Sequence, residues 1–283
     1  MEIKKVGVVG CGTMGNGIVI VSAQAGYQVV ALEINEQLLN KGLAAIDSFL
    51  GKSVEKQKIT QQDKDAVMSR IKGTTSTQDF GDCDLVIEAA VENMDLKKKI
   101  FAELDKICPK HTILATNTSC LSIIDMAVAT GRPDKVLGLH FMNPVPLMKL
   151  LEIVRTIATS DETLEAGKEF GKSVGKTIVI AKDTPGFIAN YLEMPYLLNA
   201  MRMMDACVAT REDIDTTMNL GFNHPMGPLT LSDLIGLDTI LFVVNAIYED
   251  TKDPQYAAPP ILQKMVTAGW LGRKTGKGFY DYK

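Results

Sequence analysis

Short runs of β-branched and other apolar residues alternate with longer amphipathic stretches through the N-terminal part of the chain. This alternation is typical of β-α-β units, which build a parallel sheet. Helices are predicted from the glycine-rich turn at 12–15 to Gly26, and over 35–50 and 60–71. The predicted strands are 6–9, 28–32, 84–87, 112–115, 136–139 and 149–154, with an edge strand at 177–181.

The pattern changes after Asp183-Thr184-Pro185-Gly186, a sequence that favours a turn. Beyond it, apolar residues, many of them Met, have helical spacing over 187–209, 211–220, 229–249 and 260–268. The sequence therefore predicts two domains, an α/β domain over residues 1–183 and an all-α domain over 184–283. The Met-rich helical faces are interpreted either as core or as a subunit interface.

Composition and charge narrow the classes of function. Of 283 residues, 46% are hydrophobic and 23% are charged, as in globular proteins. The net charge of -4 gives no overall positive field for holding a nucleic acid or an anionic membrane. No apolar run has the length of a bilayer span or a signal-peptide core, so we expect a cytoplasmic protein. The five cysteines form no C-x-x-C motif and are expected to be free thiols, with no metal site.

A glycine-rich motif, Gly10-Cys11-Gly12-Thr13-Met14-Gly15, follows the first predicted strand and begins the first predicted helix. In this context G-x-G-x-x-G indicates a dinucleotide site, because the glycines allow a tight turn, close approach of a pyrophosphate and close packing of helix on strand. The helix N-terminus supplies N–H donors to the phosphates. Gly10, Gly12, Thr13, Met14 and Gly15 are therefore candidate cofactor ligands.

Glu33 lies just past the second predicted strand, eighteen residues after Gly15, near the spacing expected for the acid that binds an adenosine ribose. A carboxylate there repels a 2'-phosphate, and no Arg or Lys follows in Ile34-Asn35-Glu36-Gln37, so NAD is favoured over NADP. The alternative is a glycine turn with an ordinary surface glutamate. The fold class predicted is α/β, a Rossmann-type doubly wound sheet followed by an all-α C-terminal domain.

Polar residues follow several predicted strands at their carboxyl ends, where open parallel sheets bind ligands. Ser119 has a second interpretation as a helix N-cap before 121–127. The candidates after the strands are Glu88, Glu92, Asn117, Ser119 and His140.

Of the three histidines, only His140 ends an apolar strand. Asn143-Pro144-Val145-Pro146 then turns the chain back, so a returning strand is expected to bring Glu152 beside His140. A carboxylate there fixes the imidazole tautomer and favours its protonated form, which makes an acid/base pair. The alternative is a core histidine bound to a backbone carbonyl. Lys52 and Lys56 are candidates for binding an anionic group of the substrate, although basic clusters, including that at Lys97, are usually solvated faces.

Further motifs in order along the chain resemble the 3-hydroxyacyl-CoA dehydrogenase family. They include Thr116-Asn117-Thr118-Ser119, His140-Phe141-Met142-Asn143-Pro144, Pro185-Gly186-Phe187-Ile188-Ala189-Asn190 and Asn223-His224-Pro225-Met226-Gly227-Pro228. The resemblance implies NAD-dependent interconversion of a short-chain 3-hydroxyacyl-CoA, such as 3-hydroxybutyryl-CoA, with the 3-ketoacyl-CoA. It also implies a cleft between the domains and a homodimer formed through the helical domain.

The resemblance assigns roles to individual residues of this sequence. It makes His140 the catalytic base and Glu152 its partner, while Ser119 and Asn190 position the substrate oxygen. It places Asn143 near His140, Asn117 and Lys97 near the nicotinamide, Glu92 near the nicotinamide ribose, and Lys52 with Lys56 near CoA. Departures from the family pattern include Cys11 for Ala and Tyr191 for Arg.

Two other functions remain open at this stage. A dehydrogenase of this family pattern can act on a hydroxy acid without CoA, such as a sugar acid. A nucleotide-binding structural or regulatory protein can also keep the fold without the chemistry, although the joint presence of Ser119, His140, Glu152 and Asn190 argues against it.

Overall fold

An eight-stranded sheet is the centre of the N-terminal unit in the computed structural model, which describes residues 2–282. The strand order is β3-β2-β1-β4-β5-β6-β7-β8, and every pair is parallel except β6 with β7. This confirms the predicted doubly wound fold class. The strands are β1 (Lys5–Val9), β2 (Gln28–Leu32), β3 (Ile71–Thr74), β4 (Leu85–Glu88), β5 (Ile113–Thr116), β6 (Val136–Phe141), β7 (Leu150–Arg155) and β8 (Thr177–Lys182).

Helices connect most of the strands and cover both faces of the sheet. The central strands are buried along almost their whole length, as expected for parallel strands covered on both faces. Ile18 of α1 (Thr13–Gln24) and Ile46 of α2 (Glu36–Glu55) are fully buried in the hydrophobic core that these helices form with the sheet. The helices of this unit are α1 (Thr13–Gln24), α2 (Glu36–Glu55), α3 (Gln61–Met68), α4 (Met94–Ile107), α5 (Ile123–Ala127) and α6 (Asp161–Ser173).

The helix predicted over 60–71 is present but ends earlier than predicted. Helix α3 ends at Met68, and the chain continues as β3, which pairs with β2 at the edge of the sheet. Residues 71–74 read Ile-Lys-Gly-Thr, a weak strand signal because Gly and Lys are depleted in strands. The strand forms in spite of this weak propensity because it pairs with β2 and because Gly73 packs against Leu39 and Leu43.

The chain divides into its two units between Thr184 and Pro185, and the second unit is helical. The helix predicted over 229–249 is broken at Gly236, whose φ of +103° no L residue adopts readily. The α-helix predicted over 211–220 ends at Thr216 and is followed by a wider π-type turn over Thr217–Gly221. The helices are α7 (Ala189–Asp205), α8 (Arg211–Thr216), α9 (Pro228–Ile235), α10 (Leu237–Thr251) and α11 (Pro260–Thr267).

Two buried aspartates fix the C-terminal segment to the second unit. Asp233 accepts hydrogen bonds from the backbone N–H groups of Phe279 and Tyr280 and from the Tyr282 hydroxyl. Asp215 accepts a hydrogen bond from the Tyr280 hydroxyl.

Within residues 2–282 no helix by itself has the length and hydropathy of a bilayer span. The bent pair α9 and α10 meets those criteria only when the two helices are taken together.

Candidate active site

The glycine-rich turn has the backbone that the motif predicts. Gly10 has a φ of +95° and donates its N–H to the Leu32 carbonyl of β2, while a Cβ on Gly15 would lie 1.8 Å from the Gly10 carbonyl oxygen. Gly12 and Thr13 are exposed at the start of α1, and a Cβ on Gly12 would meet no heavy atom within 4 Å. The turn and helix N-terminus therefore offer uncrowded N–H donors, which fit a pyrophosphate.

Glu33 reaches back from the end of β2 to this turn. One carboxylate oxygen accepts a hydrogen bond of 2.7 Å from the Cys11 N–H, and the other accepts one of 3.1 Å from the Ile34 N–H. Burial, with the Glu33 charge as a smaller cause, raises the pKa of the Cys11 thiol to about 12. Cys11 therefore stays a neutral, small apolar side chain at neutral pH, and the negative charge at the turn belongs to Glu33.

His140 and Glu152 lie side by side on neighbouring strands. Antiparallel pairing of β6 with β7 sets the two residues directly opposite each other, and His140 Nδ1 is 2.6 Å from a Glu152 carboxylate oxygen. The strand predicted over 136–139 is two residues too short at this end, since β6 continues through Phe141. Glu152 is fully buried and His140 is 6% exposed. Burial of both partners makes their hydrogen bond stronger than the same bond in water.

Two asparagines lie close to His140 along the chain or the sheet. Asn117, just after β5, accepts a hydrogen bond of 3.0 Å through its side-chain oxygen from the Phe141 N–H. Asn117 therefore ties the end of β5 to the residue that follows His140. Asn143 is exposed in the segment that leaves β6.

Lys97 is buried, so it is not part of a solvated basic face. Its ammonium lies 2.7 and 2.8 Å from the two Glu88 carboxylate oxygens and 3.1 Å from Glu92. Lys97 is 1% exposed and the Glu88 side chain is fully buried. Glu88 also accepts hydrogen bonds from the Thr116 hydroxyl and the Ala90 N–H, which satisfy its remaining lone pairs.

Glu92 extends this network to Ser119. Its carboxylate accepts hydrogen bonds from the Thr118 hydroxyl and, at 3.0 Å, from the Ser119 N–H. Ser119 does not cap the following helix, because α5 begins at Ile123 and Asp183 accepts from its first N–H groups. Glu88 is a candidate from the sequence because it is an acid after an apolar strand, but its cation partner is not predicted. Thr118 occurs in the sequence analysis only as part of a motif, with no role of its own.

The remaining candidate residues lie on other elements. Lys52 and Lys56 are exposed at the last turn and C-cap of α2. Asn190 lies in the first turn of α7 in the second unit. Tyr191, the departure beside it, packs its ring 5.2 Å from the ring of buried Tyr256, whose hydroxyl donates to the Tyr191 carbonyl. Among residues 2–282, no three His, Cys, Asp or Glu side chains are grouped to hold a metal ion.

Comparison with known proteins identifies the family. A model of the 3-hydroxyacyl-CoA dehydrogenase NAD binding domain matches residues 5–184, and a model of the C-terminal domain of the same enzymes matches residues 186–282. The chain belongs to the 3-hydroxyacyl-CoA dehydrogenase family. The resemblance predicted from the sequence motifs is confirmed, and with it the presence of an NAD-binding domain.

Individual members of the 3-hydroxyacyl-CoA dehydrogenase family match over nearly full length. A 3-hydroxybutyryl-CoA dehydrogenase of Bradyrhizobium diazoefficiens is 47% identical over 281 residues, covering 99% of this chain and 96% of that protein. Another, from Mycobacterium tuberculosis, is 46% identical and covers 99% of each. The crystal structure of (S)-3-hydroxybutyryl-CoA dehydrogenase PaaH1 from Ralstonia eutropha has a TM-score of 0.97 at 44% identity, with 100% of both chains covered.

Replacing Lys97 by Met is expected to lower the free energy of unfolding by about 3 to 5 kcal/mol, because Glu88 is left as a buried charge without its cation. Chemical denaturation measures this loss. Lys99→Met, at an exposed position of the same helix, is the matched control and should change stability by less than about 0.5 kcal/mol. The double variant Lys97→Met/Glu88→Gln should recover part of the loss; equal stability of Lys97→Met and the unaltered protein would contradict the assignment.

Proposed function

We propose that this 3-hydroxyacyl-CoA dehydrogenase interconverts (S)-3-hydroxybutyryl-CoA and acetoacetyl-CoA with NAD(H). The observation that carries the proposal is the buried His140–Glu152 pair, in the same sheet as a glycine turn with Glu33 beside it. Close relatives named for 3-hydroxybutyryl-CoA support the short acyl chain. His140 lies three strands from β1, about 14 Å at the usual strand spacing, so the base and the phosphate turn are well separated along one edge of the sheet.

In the oxidising direction His140 takes the proton of the 3-hydroxyl. Because Nδ1 donates to Glu152, Nε2 is the nitrogen that accepts this proton. Glu152 then stabilises the imidazolium and keeps the ring oriented. When bound, NAD+ supplies the acceptor for the hydride that leaves C3. A positioned base of this kind typically contributes about 10² to 10⁴ in rate.

In the reducing direction protonated His140 returns its proton to the carbonyl oxygen at C3. Ser119 and Asn190 are proposed to position that oxygen, and their donors are most effective as negative charge develops on it. The Glu92 carboxylate supports this role for Ser119 by holding its backbone N–H. The same hydrogen bond, with that of the Thr118 hydroxyl, fixes the turn that carries Ser119.

We propose the following residues as the binding sites for the two ends of the cofactor and for the CoA group. Gly10, Gly12, Thr13, Met14 and Gly15 bind the pyrophosphate, and Glu33 binds the adenosine ribose and disfavours NADP. Glu92, Lys97, Asn117 and Asn143 surround the nicotinamide end, with Lys97 acting through its carboxylate partners because its ammonium is buried against them. Lys52 and Lys56, exposed at one end of α2, bind phosphates of CoA.

We further propose a cytoplasmic homodimer formed through the helical unit. Large apolar side chains are exposed there, which supports burial against a second copy. Light scattering is expected to give twice the monomer mass, and a monomer at micromolar concentration would contradict this proposal. The exposed side chains are Leu192, Leu220, Phe222, Leu234 and Phe242.

His140→Ala is expected to lower turnover of acetoacetyl-CoA by at least about 10²-fold while the affinity for NADH stays nearly unchanged, because the base is removed and the glycine turn is not. NADH oxidation and NADH fluorescence titration measure the two quantities. His111→Ala, at an exposed histidine, is the matched control. Turnover comparable with the unaltered enzyme would remove His140 from the role of base. Equal activity on free acetoacetate would favour the hydroxy acid dehydrogenase over the CoA enzyme.

Glu33→Gln is expected to weaken NADH binding and to reduce the preference for NADH over NADPH by about tenfold or more, because the charge that repels a 2'-phosphate is lost. The ratio of kcat/KM with the two cofactors measures the preference. Glu36→Gln, at an exposed acid three residues later, is the matched control. A preference that does not change in Glu33→Gln would show that another residue sets it.

A further inference from the structure

Lys176 is a buried lysine whose ammonium binds backbone carbonyls. It lies in the turn between α6 and β8 and is 9% exposed. Its Nζ donates to the Val145 carbonyl at 2.5 Å and to the Met148 carbonyl at 2.8 Å. No carboxylate of the described residues forms an ion pair with it. Burial lowers the pKa of Lys176. A lysine in such a place is unusual, because burying an ammonium costs free energy unless hydrogen bonds or an ion pair offset its lost hydration.

Both carbonyls belong to the segment 143–148, which lies within the connection between β6 and β7. The segment also has its own turn, since the N–H groups of Leu147 and Met148 donate to the Pro144 carbonyl at 3.0 Å. The segment begins at Asn143, two residues after the end of β6 and three residues after His140. Lys176 thus supplies partners for two carbonyls that the segment's own turn leaves unused.

The same segment also packs against the dinucleotide-binding helix α1. Val145 is 2% exposed and belongs to the core of the N-terminal unit. A Cβ on Gly17 would lie 2.6 Å from the Val145 Cβ and 3.3 Å from Pro146 Cδ, so the segment approaches α1 as closely as a glycine permits. Helix α1 begins at the glycine turn, four residues before Gly17. The segment therefore contacts both Lys176 and α1.

We propose that Lys176 is a positioning residue for catalysis: by holding residues 143–148 against α1, it fixes the spacing between the cofactor helix and the strand that carries His140. Lys176 does not touch the reacting atoms in this role; it acts through Val145, Met148 and the segment they belong to. The proposal rests on the proposed function of His140 and Asn143. Small displacements of positioning elements cost rate without loss of the fold, because alignment of reacting groups is sensitive to shifts of about 1 Å.

The side chain required is a donor of at least two hydrogen bonds that reaches both carbonyls. Methionine matches the lysine stem in length but donates nothing, whereas arginine keeps the charge and several donors. Lys172→Met makes the same chemical change at an exposed position one turn earlier in the chain and serves as the matched control. These three variants separate the donor function from stem packing and from net charge.

The test combines steady-state kinetics with amide hydrogen exchange of the intact protein. For Lys176→Met we expect kcat/KM for NADH in acetoacetyl-CoA reduction to fall by about 10- to 100-fold, and exchange at Leu147 and Met148 to become faster, with Tm nearly unchanged. Lys176→Arg should recover most of the rate and the protection. Lys172→Met should match the unaltered protein in both measurements.

Several results would overturn the proposal. Unchanged kinetics and exchange in Lys176→Met would do so, and so would a lower Tm with unchanged kcat/KM per folded molecule, which is a structural role only. If Lys176→Met fails to fold, Lys176→Gln, which keeps two amide donors without the charge, is measured in the same way and decides the question. If the unaltered protein does not reduce acetoacetyl-CoA, the proposed function fails, while NADH affinity and exchange at 147 and 148 still test whether Lys176 holds the segment.

Discussion

The antiparallel pairing of β6 with β7 is the constraint on which the candidate site depends. All the other strand pairs are parallel, and only this reversal returns the chain directly alongside β6. Register then sets Glu152 opposite His140, so a carboxylate that would otherwise be a costly buried charge acquires a hydrogen-bonded partner. A one-residue slip of β7 would turn Glu152 to the other face of the sheet and separate the pair.

A second buried charge cluster supports the same edge of the sheet. Lys97 joins Glu88 at the end of β4 to Glu92, and Glu92 holds the turn with Ser119. The buried and partly buried ionisable groups of the candidate site therefore form two groups: the His140–Glu152 pair, and the cluster of Lys97 with Glu88 and Glu92, which shapes the turn that carries Ser119. The hydrogen bond of the first group, and the hydrogen bonds and opposite charges within the second, offset the cost of burying these side chains.

The sequence predicted most of the sheet, because buried parallel strands are short apolar runs separated by helices. It also predicted the return of β7 beside β6 from the turn residues at 143–146. It could not predict β3, whose Lys-Gly composition is weak and which forms through pairing with β2. The burial of Lys97 was equally out of reach, because a lysine on an amphipathic helix gives no local sign that two distant carboxylates surround it. Lys176 was missed for the same reason: its partners are backbone carbonyls some thirty residues away, which leave no trace in side-chain patterns.

Gly17 of helix α1 contacts Val145 of the connection between β6 and β7, although neither residue belongs to the G-x-G-x-x-G motif. Any gain of volume at position 17 has to be matched by a loss at position 145 or by movement of the strand connection. During divergence of such enzymes the two positions should thus have been free to vary only together. A designer who places a larger residue at position 17 of α1 to alter cofactor choice therefore has to reduce the residue at position 145 or allow the strand connection to move.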